Sequence, residues 1–317
     1  MTPADCFWLQ PALGALRSAH RAGRAGHALL IHADPGCGGD WLATWVAQLL
    51  LCRRDTAPCG ECADCRQCAA GQHPDVFPVA PSADSKQIRA EDVRAFCAEL
   101  ALTSHGGGYR IGIVSPADSL NAVAANALLK TLEEPPPRTL IVLASATPSR
   151  LPATIRSRCM RLRVAAPGRA ATFKWLAAQG KDGDFAAAAD VLGDAPLTLL
   201  AADLADIARA RAESVQALEA VERGGVDPAQ LAERWSRDDY GLRLACAEAW
   251  LVAQIRLSAT APTGNIALQF GLLDALRELR REIDTPLNKS VALERWLWRL
   301  AGADGQRTGR PPAQRGG

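Results

Sequence analysis

Five cysteines cluster in the first quarter of the chain as Cys52-x6-Cys59-x2-Cys62-x2-Cys65, with Cys68 following after two more residues. Thiolates two residues apart can turn onto one ion, and four sulfurs with no other donor suit tetrahedral Zn²⁺. A closed sulfur shell leaves no position for a substrate, so the expected role is structural. Cys68 is a fifth thiol for a four-coordinate ion, either a bystander or a substitute ligand. Cys6, Cys37, Cys97, Cys159 and Cys246 are scattered and read as small apolar core residues.

A second candidate lies just upstream. The apolar run Ala28-Leu29-Leu30-Ile31 leads into a Gly-rich turn, and Trp41 to Cys52 reads as a helix. Strand, Gly-rich turn and helix form the layout of a phosphate loop, G-x-x-x-x-G-K-[ST]. Its amides cradle phosphates, its Lys neutralises them and its hydroxyl holds Mg²⁺. The aligned residues are Ala33-Asp34-Pro35-Gly36-Cys37-Gly38-Gly39-Asp40. Gly36 and Gly38 remain, but Gly39 stands at the Lys position and Asp40 at the hydroxyl position. A carboxylate beside a triphosphate, with no Lys to offset it, has the wrong sign. The later strand Ile113-Val114 runs into Ser115-Pro116, without the carboxylate that would hold Mg²⁺. The chain is therefore expected neither to hydrolyse ATP nor to bind it tightly, leaving only weak binding through backbone amides.

The elements around these residues alternate. Strands are expected at Ala28–Ile31, Val76–Val79, Ile111–Val114, Leu140–Ala144 and Met160–Val164. Helices are expected at Trp41–Cys52, Ala90–Leu102 and Leu120–Leu132, the last capped by Asp118 or Ser119 and stopped by Pro135-Pro136-Pro137. Apolar strands alternating with helices argue for a parallel sheet covered on both faces. After Pro167-Gly168 the strand signals vanish and Ala/Leu-rich helical patterns take over. Leu272, Leu273, Leu276, Leu279 and Ile283 form one apolar stripe, either core or a partner surface, with core the preferred reading. Thr285-Pro286 is a cap-then-proline start for a last helix, in which Trp296 and Trp298 cannot face the same way.

Two longer stretches are highly specific: Asn126-Ala-Leu-Leu-Lys130-Thr-Leu-Glu133-Glu134-Pro-Pro136 and Leu151-Pro-Ala-Thr-Ile-Arg156-Ser157-Arg158-Cys159. Together with His27-Ala-Leu-Leu30 and Ile88-Arg-Ala-Glu-Asp-Val-Arg94 they resemble the AAA+ subunits of the bacterial DNA polymerase III clamp loader. The likeness is dense from about Phe7 to Val164 and diffuse beyond. A degenerate loop with a retained Ser-Arg-Cys resembles the delta-prime branch of that family rather than the motor subunit.

The resemblance implies a RecA-like AAA+ domain with a zinc insertion (residues 1–166, zinc module 52–68). It also implies a small helical lid (167–202) and a helical collar for oligomerisation (203–302), ahead of a tail without structure (303–317). Cys52, Cys59, Cys62 and Cys65 match the family's four metal ligands. Pro196, in Gly193-Asp-Ala-Pro-Leu197, stands where an active relative presents an arginine to phosphate. Ser145-Ala146-Thr147 occupies the sensor position. Arg158, with Ser157 beside it, would act in trans, completing the ATP site of a neighbour. Without that context Arg158 reads as a surface ion pair or a DNA-phosphate contact. The implied partners are the motor (gamma/tau) and delta subunits and, through the complex, the sliding clamp and primer–template DNA.

The alternatives are an active clamp-loader ATPase and a stand-alone zinc-containing DNA-binding protein. Bulk charge does not favour the second. The 317 residues carry a formal charge of +2, from 36 Lys+Arg against 34 Asp+Glu, without the excess of a nucleic-acid-binding domain. Asp5 lies where a secretory leader would be cationic, and no apolar run is long enough for a bilayer. The expectation is a cytoplasmic protein in a reducing compartment, where clustered cysteines bind metal rather than pair.

Overall fold

The computed structural model describes residues 2–24, 26–82, 85–260, 266–283 and 288–308; side chains are described up to 302, except that of 260. It divides into two compact units, Met1–Gly168 with Ala195–Thr198, and Arg169–Asp194 with Leu199–Gly317.

The first unit holds a five-stranded sheet with β1 (Ala28–His32), β2 (Val76–Val79), β3 (Arg110–Val114), β4 (Thr139–Ser145) and β5 (Met160–Arg163). Its order is β2-β3-β4-β1-β5, and every pairing is parallel. The central strands β3 and β4 are buried along their whole length, so they read as unbroken apolar runs rather than alternating ones. The edges are blunted, β2 by Pro78 and β5 by exposed Arg161 and Arg163. Gly112 interrupts β3 because a Cβ there would run into the ring of Phe96.

Around the sheet lie α1 (Gln10–Arg21), α2 (Gly39–Leu51), α3 (Ala63–Ala69), α4 (Ala90–Leu100), α5 (Ala122–Glu133) and α6 (Ala153–Arg156). α5 starts later than Asp118 or Ser119 would have it. Asn121 is its cap, accepting from the Ala124 N–H at 2.8 Å. Asp118 is drawn away to the end of β4 instead. Val93, Phe96, Leu100, Leu128, Leu132, Ile155 and Cys159 share one buried cluster, which fixes the end of α5 and the α6–β5 turn in one core.

A buried ion pair closes the N-terminal end of strands β2 and β3. Arg110 and Asp75 lie 3.7 Å apart with side chains 5% and 2% exposed. Asp75 also accepts from the His105 and Gly106 N–H groups, and Arg110 donates to the Thr103 carbonyl at 2.6 Å. Arg53, next to Cys52, reaches the same loop by donating to the Gly106 carbonyl at 2.7 Å. Removing one partner of such a pair strands a buried charge, at a cost of about 3–5 kcal/mol.

The second unit is helical, with α7 (Arg169–Ala178), α8 (Phe185–Leu192), α10 (Leu204–Glu222), α11 (Pro228–Arg237), α12 (Tyr240–Thr260), α13 (Ile266–Arg281) and α14 (Lys289–Thr308); α9 (Pro196–Ala201) begins in the first unit. Asp184, Asp203 and Asp227 cap α8, α10 and α11 through their carboxylates. Leu272, Leu273 and Leu276 are buried, with Leu279 and Ile283 packed against the same core, as the stripe suggested. Trp296 is buried and donates to the Leu272 carbonyl at 2.9 Å, whereas Trp298 is 55% exposed. Asn288 accepts from the N–H groups of Ser290 and Val291 at the start of α14, while Thr285-Pro286 lies outside the described residues. α14 continues to Thr308, so the stretch expected to be without structure from 303 is helical in its first turns. Residues 309–317 lie outside the described residues. Among the described residues, no helix is long and apolar enough to cross a membrane.

Candidate functional site

The strand order brings the C-terminal ends of β3, β4 and β1 side by side, the usual place for a ligand in an open parallel sheet. The Gly-rich turn follows β1 there, and Gly36 and Gly38 adopt left-handed φ values of +73° and +89°. The chain itself packs against the glycines of this turn, while Asp34, Pro35 and Asp40 stay exposed. A Cβ on Gly36 would strike the Thr198 hydroxyl and come within 3.0 Å of the Ala195 methyl group. One on Gly38 would lie 3.2 Å from Leu9 and 3.5 Å from Leu197. The Leu197 N–H donates to the Gly36 carbonyl at 3.0 Å, and the Trp8 indole N–H to the Cys37 carbonyl at 2.9 Å. Pro196, in this covering segment, brings no cation.

Asp40 and Ser115 meet at this end of the sheet, the Ser115 hydroxyl donating to the Asp40 carboxylate. Relative to a working site, hydroxyl and carboxylate have exchanged places, and here they satisfy each other. Sequence reading missed the part played by Asp118. Its carboxylate accepts from the Ser145 hydroxyl and from the N–H groups of Ala146 (2.8 Å) and Thr147 (3.1 Å). Residues 145–147 at the end of β4 are thereby tied to the turn after β3. The only signal in the sequence was an acid followed closely by capping residues, which fits a helix start equally well.

Arg158 lies in the turn between α6 and β5, with buried Cys159 next to it anchoring the chain. One terminal nitrogen pairs with the Glu133 carboxylate at 2.7 Å, and the other donates to the Thr154 carbonyl at 2.9 Å. The Ser157 hydroxyl donates to that same carbonyl at 3.0 Å, so it serves the turn. The Arg158 side chain is 35% exposed and that of Glu133 49%. Arg161 donates to the Arg156 carbonyl at 3.4 Å.

The four predicted thiols come together. The ligand atoms of Cys52, Cys59, Cys62 and Cys65 all lie within 4.8 Å of one another. Cys59 and Cys65 sulfurs are 4.0 Å apart, and those of Cys62 and Cys52 are 3.9 Å apart. A tetrahedron with Zn–S bonds of about 2.3 Å has edges of about 3.8 Å, so the donor set fits that ion in number, type and spacing. Cys52 is set by the C-terminal end of α2, and Cys65 by α3, whose N-cap is Cys62. The N–H groups of Cys62 and Cys65 point at the sulfurs of Cys59 and Cys62, at 3.3 and 3.4 Å. The N–H groups of Cys62 and Glu61 draw the Cys59 thiol down to about 6, while burial pushes Cys65 up. A divalent cation would supply the charge that holds both as thiolates. Cys68 is buried outside this group, its thiol pushed up to about 12 by burial. Cys6, Cys37, Cys159 and Cys246 are buried as expected; Cys97 is partly so.

Comparisons with known proteins converge. A family model described as "DNA polymerase III, delta subunit" matches residues 9–167. DNA polymerase III subunit delta′ of Pseudomonas aeruginosa is 34% identical over 303 residues, spanning 93% of this chain and 90% of that protein. The Escherichia coli subunit of the same name is 40% identical over 171 residues, 53% of this chain and 51% of its own length. Among solved structures, a DNA polymerase III gamma subunit-related protein from Thermotoga maritima superposes with a TM-score of 0.50 at 17% identity. That match covers 91% of this chain and 99% of the other, and at this identity it speaks to the fold alone.

Proposed function

The chain belongs to the delta-prime family of DNA polymerase III subunits, and from that premise we propose that it is a non-catalytic AAA+ subunit of the clamp loader that completes a neighbour's ATP site with Arg158. Its fold is that of a RecA-like AAA+ domain followed by helices, and membership makes it a part of the polymerase III clamp loader. In this reading residues 167–202 act as a lid and 203–302 as a collar that joins the ring. The motor (gamma/tau) and delta subunits are its partners, and the complex loads the sliding clamp on primed DNA.

The observation that carries the proposal is the contrast between two sites. The phosphate loop has lost its Lys, its hydroxyl and its Mg²⁺ carboxylate, and Leu197 and Thr198 pack against its glycines. Arg158, by contrast, stands part-exposed in an intact Ser-Arg-Cys turn. An arginine reaching a neighbour's phosphates stabilises the charge that develops in phosphoryl transfer, worth about 10³–10⁵ in rate in well-characterised cases. An intrinsic ATPase is disfavoured by the packed glycines of the loop, and a stand-alone DNA-binding role by the near-balance of charge. Zn²⁺ on Cys52, Cys59, Cys62 and Cys65 would supply structural cross-linking of the segment between α2 and α3.

An add-back experiment tests this. The chain alone is expected to turn over no ATP, and its addition to the motor and delta subunits should raise DNA-stimulated turnover. Turnover by the chain alone, or an assembled complex indifferent to it, would refute the reading.

A further inference from the structure

The Leu-Glu-Glu-Pro end of α5 plays no part in the function proposed above, yet it holds the partner of the one arginine that does. We propose that Glu133 is a positioning residue for Arg158, fixing the guanidinium at the subunit surface so that it meets a neighbour's triphosphate already oriented. The inference rests on the reading of Arg158 as a group acting in trans.

Three observations carry it. First, Arg158 is held from two sides of its own chain, by Glu133 at 2.7 Å and by the Thr154 carbonyl at 2.9 Å. A guanidinium has five N–H donors in a fixed plane; the Glu133 and Thr154 bonds, with a longer 3.5 Å contact to the Ser157 hydroxyl, leave two for phosphate oxygens. Glu133 therefore need not be displaced when phosphate arrives. Second, Glu133 is the last residue of α5, where the helix dipole disfavours a carboxylate. Its place there is accounted for by the arginine opposite rather than by the helix. Third, both side chains are part-exposed, at 35% and 49%, and such pairs add little to stability. What the pair does supply is orientation, because a free arginine would lose rotamer entropy on docking that this one has already lost. The shared cluster of Leu132, Ile155 and Cys159 keeps the two backbones in register.

The test uses the reconstituted clamp-loader complex with Glu133→Ala, Glu133→Gln, Arg158→Ala and the double variant Glu133→Ala/Arg158→Ala. Assembly is checked by gel filtration, and DNA-stimulated kcat and KM for ATP are measured. Glu133→Ala is expected to lower the kcat contributed by the neighbouring site about 3- to 10-fold, leaving KM within about twofold. Glu133→Gln keeps an acceptor of the same shape and should retain most of the rate. In the Arg158→Ala background, Glu133→Ala should change nothing further. A Glu133→Ala rate that is unchanged or raised, or a loss of equal size with and without Arg158, overturns the positioning role. Turnover insensitive to Arg158→Ala overturns the in-trans reading itself, and this inference with it.

Discussion

Ser115 donates its hydroxyl to the carboxylate of Asp40 at the C-terminal end of the sheet, pairing the two positions that in a working phosphate loop would both face Mg²⁺. The exchange of groups leaves each satisfied by the other. With Thr198, Ala195 and Leu197 against the glycines, the turn works as an internal clasp.

Restoring the missing side chains should therefore not restore binding. The double variant Gly39→Lys/Asp40→Thr supplies the lost Lys and hydroxyl but leaves the covering segment in place. Isothermal titration with Mg·ATP is expected to show no binding up to millimolar nucleotide, in the variant as in the parent chain. A micromolar dissociation constant in the variant would mean that the covering segment yields and that side-chain loss alone silenced the site.

The clasp also has a stability signature. Gly36 and Gly180 share a φ of +73°, but a Cβ would meet Thr198 and Ala195 at Gly36 and nothing within 4 Å at Gly180. Gly180→Ala should cost about 1–2 kcal/mol from backbone strain alone. Gly36→Ala should cost at least about 1 kcal/mol more, because overpacking adds to strain. Urea denaturation of both variants measures the difference; equal losses would show that the segment moves aside freely.

Much of this was legible beforehand, for a local reason. Ile111–Val114 and Leu140–Ala144 are buried on both faces, and such strands announce themselves as apolar runs. The four thiols carry their geometry in their spacing. What stayed hidden depends on residues far apart in the chain. Asp118 looked like a helix cap because nothing nearby reveals that Ser145 and Ala146 will claim it. Glu133 and Arg158 each sat in a recognisable stretch, but only the packing of α5 against α6 brings them together. The closure of Gly36 by Thr198 and the Arg110–Asp75 pair are of the same kind.

The metal centre separates ligands from bystanders. Purified chain should carry about one Zn²⁺, and Cys62→Ser should lose it, with a lower Tm. Cys68→Ser should keep the metal, because its thiol lies outside the group of four. Chelation of the parent chain should lower Tm in the same direction as Cys62→Ser, since structural zinc contributes directly to folding. Metal analysis alongside thermal melts decides the matter; loss of zinc on Cys68→Ser would make Cys68 a ligand.

In the proposed function, Arg158 acts on a neighbour's ATP. The most direct test is DNA-stimulated ATP turnover by the reconstituted complex, parent against Arg158→Ala, with assembly verified for both. The complex is expected to stay intact and to lose the turnover of one site, where the missing guanidinium costs on the order of 10³-fold or more. Unchanged turnover in an intact complex would contradict this role, leaving Arg158 as the partner of Glu133 and the chain as a scaffold.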